Sequence, residues 1–226
     1  MAPSVIDWSF ALSTATRLVK PGPAISAAGA QAVVAALREH AVRAEAYVTE
    51  VTGLTAPSGT APVLVVDRPR WIEANLAGFR QVLAPLTEAA ATKLRTSPAG
   101  AWVGSRVTGA EVGVLLSYLA PKVLGQFDPF FEPAGGSADP GLTRPGGRLL
   151  LVAPNIVSVE RELDVVPADF RLWVCLHEET HRVQFTAVPW MTDHLQSLMG
   201  EILSSVQTDP ADFRLWVCLH EETHRV

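Results

Sequence analysis

Apolar positions recur along this chain at two spacings, and each spacing predicts an element. Val33, Val34, Leu37, Ala41, Ala44 and Val48 return at intervals of three or four, which puts them on one face of a helix over 26–51 that Gly53 ends. Residues 63–66, VLVV, form a short and mostly β-branched run that predicts a strand. Pro69 then opens a helix reaching about Arg95, with interruptions near Gly78 and Pro85. Thr108 followed by Glu111 has the spacing of a capping box, which predicts a helix start there, with the apolar run 112–124 behind it and Pro121 bending its last turns. Residues 128–147 are crowded with Gly and Pro and predict a long exposed loop. A second strand, RLLLV at 148–152, follows it. Ile156, Val159 and Leu163 recur at helical spacing, a further helix runs from Pro167 to about Phe185, and another starts at Pro189.

The pattern is therefore mainly α with short β strands, an α+β architecture. No composition shift divides it, so residues 1–206 are expected to form one domain. The remainder, 207–226, is mostly a copy: PADFRLWVCLHEETHRV at 167–183 recurs unchanged at 210–226, with no similarity in the flanks. Drift would have altered surface positions in an old duplication. A recent duplication, engineering or a joining error is implied, and the fold is expected to be incomplete at its C-terminus. The second copy is expected to be helical without forming a second site.

Composition narrows the function classes. With 226 residues, 48% of them apolar, the chain can bury a sizeable core. A net charge of -5 gives no field to gather phosphates, so nucleic acid is not an expected partner. Asp7 interrupts the one N-terminal stretch that could resemble a leader, and the best apolar run, 112–119, falls short of the ~20 residues that span a bilayer. A soluble, cytoplasmic protein without membrane association is expected. Cys175 and Cys218 hold one place in the two copies, so they form no disulfide framework. Each lies two residues before a histidine, on another side of the helix, and reads as a buried thiol rather than a metal ligand.

The candidate chemistry lies in His177-Glu178-Glu179-Thr180-His181. Two histidines at i and i+4 bring both imidazoles to one helix face, within reach of one ion. Zinc suits neutral imidazole nitrogens, and a neighbouring carboxylate can take a proton from water, the role expected of Glu178. H-E-x-x-H arises by chance in well under roughly one in a hundred chains of this length. Phe170, Trp173, Val174 and Phe185 predict a largely buried helix around it. Glu179 projects away from Glu178 and is expected to be solvated.

A third ligand is needed, and the residues leave it open. Gln184 and Ala187 occupy the places where a metzincin has glycine and histidine, which excludes that class. Glu201 follows His181 by twenty residues, a separation that resembles thermolysin-like zincins, although Ser205 stands where that class usually has aspartate. His194, seven residues before Glu201, lies on the same side of its helix. A residue further downstream is the remaining alternative.

Several segments together resemble the zincin-like zinc metallopeptidases, a family often labelled as associated with deazaflavin coenzyme biosynthesis. They are IDWSFALSTATRLVKPGP from Ile6, VLVVDRP at 63–69, VLGQFDPF at 123–130, LLLVAPNIVSVERELDV at 149–165 and FRLWVCLHEETHRVQFTAVPW at 170–190. The resemblance spans Ile6 to about Leu195. It implies a zincin-like fold, His177 and His181 as Zn2+ ligands, and Glu178 as the catalytic base. Family members continue with further helices and a segment rich in glutamate and histidine, where this chain carries its repeat.

The expected function is a zinc-dependent metallohydrolase, most plausibly a metallopeptidase acting on a peptide or protein substrate aligned along the strand 148–152. The alternatives are a non-catalytic helical scaffold and an inactive truncated fragment. No flavin- or nucleotide-binding pattern is visible.

Overall fold

The computed structural model describes residues 5–56, 61–84, 87, 98–131, 147–188 and 190–205. Its elements run α1 (Trp8–Leu18), α2 (Ala27–Thr52), β1 (Val63–Val66), α3 (Arg68–Val82), α4 (Pro98–Leu119), β2 (Gly125–Asp128), β3 (Arg148–Val152), α5 (Ala153–Glu162), α6 (Pro167–Ala187) and α7 (Trp190–Ser205). The contacts divide the chain into two compact units, 1–192 and 193–226.

In the first unit a three-stranded sheet has the order β1-β3-β2, with β1 parallel and β2 antiparallel to the central β3. Alternation along the strands separates two cores. Leu150 and Val152 turn to one face and pack with Ala11 and Ala15 of α1, Trp71 and Ile72 of α3, and Leu116 of α4. Leu151 turns to the other, among Leu37 and Ala44 of α2, Ile156 of α5, and Val174 and Cys175 of α6. Helices on both faces leave β3 buried along most of its length, which explains its unbroken apolar run.

Local signals set the helix ends. Ser26 accepts from Gly29 N to cap α2, and Gly53 ends it in the left-handed conformation, φ 70°. Asp67 caps α3 through Arg70 N. A buried polar hub ties the layers together: Asn155 accepts from Arg68 Nε at 2.6 Å and donates to the carbonyls of Ala120 and Val123, while Arg68 also donates to Lys20 O.

Several expectations are corrected. Thr108 lies inside α4, which starts ten residues earlier at Pro98, and that helix stops at Leu119 before Pro121. Gly78 does not interrupt α3, which ends at Val82, and most of the predicted stretch beyond it lies outside the described residues. The sheet has three strands rather than two, because β2 was not anticipated. β3 is bonded on both sides and offers no edge to an extended substrate. The second copy, 210–226, lies outside the described residues, as does most of the loop predicted over 128–147. Among the described residues no helix is long and apolar enough to cross a membrane.

Candidate active site

Helix α6 starts with Pro167 in its first turn and Asp169 beside its positive N-terminal end, both favourable there. Its buried side carries Val174, Cys175, Glu178, Glu179, Arg182 and Val183. Its other side is exposed and carries the histidines.

His177 and His181 sit one turn apart with ring centroids 5.0 Å apart and planes crossed at 86°. Two imidazoles bound to one tetrahedral zinc through nitrogens ~2.0–2.1 Å from it would have ring centres about 5 Å apart. The centroid separation of the pair is compatible with that arrangement. His181 Nδ1 lies 3.3 Å from Gln184 Oε1. With the amide oxygen as acceptor, Nδ1 carries the ring proton and Nε2 keeps the lone pair a metal needs.

Glu178 is buried, 6% exposed, and its carboxyl packs against the backbone of Gly125 at the start of β2. A Cβ at residue 125 would lie 2.6 Å from Glu178 Cδ and 2.8 Å from Oε1. Burial pushes its pKa up to about 7. That value suits a group that must accept and release a proton near neutrality.

Glu179 corrects the expectation of a solvated side chain. It is 1% exposed and accepts from Arg182 Nε at 2.9 and 2.8 Å, and Glu45 of α2 lies 3.0 Å from Arg182 Nη2. Burial works against the Arg182 charge, and the bonds to Glu179 together with the Glu45 carboxylate outweigh it. The bridge anchors α6 to α2 behind the histidines. Cys175 is fully buried, as expected, and burial, with Glu179 and Glu178 adding, pushes its thiol up to about 12.

The helix is less buried than expected on its histidine side. Trp173 is 57% exposed, and its ring stacks 6.0 Å from His177 and 5.9 Å from Phe170. His194 and Glu201 are exposed side chains of α7 in the second unit. Among the described residues no group of three or more His, Cys, Asp or Glu is gathered as a metal site.

Sequence reasoning missed β2, Gly125 and the part played by Gln184. Gln184 was findable, since it stands three residues after His181 on the same helix. In the antiparallel ladder Val152 N donates to Leu124 O, and the register pairs Gly125 with Leu151. Alternation then turns the amide groups of Gly125 and Phe127 away from β3, towards the outer edge. Phe127 also packs on Phe185 of α6, ring centroids 5.5 Å apart.

Residues 6–211 match the family model described as zincin-like metallopeptidase. A solved structure from Chloroflexus aurantiacus, described as a candidate hydrolase with a novel fold, is similar, with a TM-score of 0.65 and 30% identity. The likeness covers 89% of this chain and 60% of that protein, so this chain matches less than two thirds of its length. No curated protein matches.

Proposed function

The chain belongs to the zincin-like metallopeptidases, and from that premise we propose that it is a zinc-dependent hydrolase of peptide bonds in which Glu178 is the general base. The observation that carries this reading is the crossed imidazole pair at 5.0 Å on a helix whose adjacent Glu178 carboxyl is buried against the edge strand β2. His177 and His181 would hold the metal, with the third ligand drawn from Glu201, His194 or a residue beyond them. When bound, zinc supplies a lowered water pKa and a polarised substrate carbonyl.

The protein's own groups account for the rest. An extended peptide pairs with the outer edge of β2 through the amides of Gly125 and Phe127. Its scissile bond then lies near the Glu178 carboxyl. That carboxylate takes a proton from the attacking water and returns it to the leaving amine. Gln184 holds the His181 ring, and the Glu179–Arg182–Glu45 bridge holds the helix.

The test measures zinc content and cleavage of a mixed peptide library by the wild type and by Glu178→Gln, His177→Ala, His194→Ala and Glu201→Gln. Glu178→Gln is expected to keep zinc and lose hydrolysis, and His177→Ala to lose zinc. The ligand among His194 and Glu201 is the one whose loss releases metal. The placement of both histidines on the exposed side of α6, with Glu178 on its buried side, favours a second reading, a non-catalytic scaffold. Protein that stays metal-free with zinc supplied would establish that alternative.

A further inference from the structure

A cavity of about 620 Å³ lies in the first unit, lined by α2, β1 and α5, and neither histidine lines it. Its apolar wall includes Ile25, Val33, Val34, Val63, Val65 and Val157. It runs along the outer edge of β1, all four of whose residues line it.

Among the described residues, that edge carries hydrogen-bonding groups that no strand uses. Leu149 N donates to Pro62 O at 2.9 Å, and Val63 pairs in register with Leu149. The Pro62 carbonyl therefore faces β3, and alternation turns the N–H and C=O of Val63 and Val65 outward. Among the described residues no strand pairs there. An edge of this kind, backed by apolar side chains, is a template for another strand.

Charge narrows the occupant. Arg38 and Arg70 line the same cavity. Arg70 is already paired with Glu73 at 3.0 Å, and Asp67, the one acidic residue in the lining, is engaged in capping α3. Arg38 is exposed and has no ion pair among the described residues. The available charge is thus a guanidinium beside an apolar wall and two pairs of outward amide groups.

We propose that the outer edge of β1 is a docking site for an extended apolar peptide segment carrying an acidic side chain, which adds as a strand through Val63 and Val65 and sets its carboxylate against Arg38. The site is separate from the histidine face and does not depend on hydrolysis. Main-chain bonds would supply affinity, and the apolar wall with Arg38 would supply selectivity.

The experiment titrates the full chain with a fluorescent heptapeptide of alternating valine and threonine with one central glutamate, with its glutamine counterpart, and with decanoate. The glutamate peptide is expected to bind tighter than the glutamine one. Val65→Pro, which removes an outward N–H, should weaken it by about tenfold. Arg38→Glu, a surface change that leaves the fold intact, should weaken it by at least about threefold and abolish the preference for glutamate. Three results would each overturn the proposal: no binding of the glutamate peptide, binding that survives both substitutions, as docking on β2 would, or binding of decanoate alone.

Discussion

The carboxyl of Glu178 occupies the space that a side chain at Gly125 would fill, with Glu178 Cδ only 2.6 Å from where a Cβ there would stand. The glycine lets the candidate base approach the strand backbone, and it couples the position of that base to β2.

Gly125→Ala should therefore displace Glu178. Misplacing a catalytic group by about 1 Å can cost on the order of a hundredfold in rate, so kcat for peptide hydrolysis should fall steeply while zinc content is kept. Steady-state kinetics beside elemental analysis read both quantities. Unchanged kcat would disconnect residue 125 from the base.

Burial raises Glu178 from 4.5 to about 7, so the folded, metal-free chain binds a proton that the unfolded chain has already released. Stability should fall as pH rises from 4.5 to 7, with about 3 kcal/mol lost once pH exceeds the folded value. Glu178→Gln lacks this ionisation, so its stability relative to wild type should rise across the same window. Urea denaturation of both proteins at pH 5 and pH 8, with metal stripped, measures the difference, and parallel profiles would contradict it.

Asn155 satisfies Arg68 Nε and two carbonyls in the core at once. Asn155→Ala leaves those groups buried without it and should cost about 2–4 kcal/mol. A shift in the urea midpoint at unchanged slope is the expected signature.

With its thiol pushed up to about 12 and no exposure, Cys175 should resist iodoacetamide at pH 8 in the folded chain and react once denaturant is added. Peptide mapping by mass spectrometry distinguishes the two states in a Cys218→Ser variant, which leaves Cys175 as the one thiol to label. Rapid native labelling at Cys175 would show that α6 opens readily.

The spacing of His177 and His181 foretold their shared face because i and i+4 geometry is a property of the helix alone. The same holds for the helix end at Gly53 and for the β-branched run of β1. β2 escaped notice because four residues, GQFD, are too few for a period to show, and their pairing with β3 depends on chain twenty or more residues away. Glu179 was misread for a related reason. Its local surroundings suggest a solvated acid, and only the approach of α2 with Glu45, around Arg182, makes burial tolerable.

What the sequence determined by itself is the set of relations within single elements: which residues share a helix face, where α2 and α6 start and stop, and that two imidazoles stand beside a carboxylate. Tertiary structure alone decided the order of the strands, which edges stay open, and that Gly125 leaves room for Glu178. The physical reason is that periodicity records which side of an element is apolar, whereas the partner covering that side is chosen by packing among segments distant in the chain.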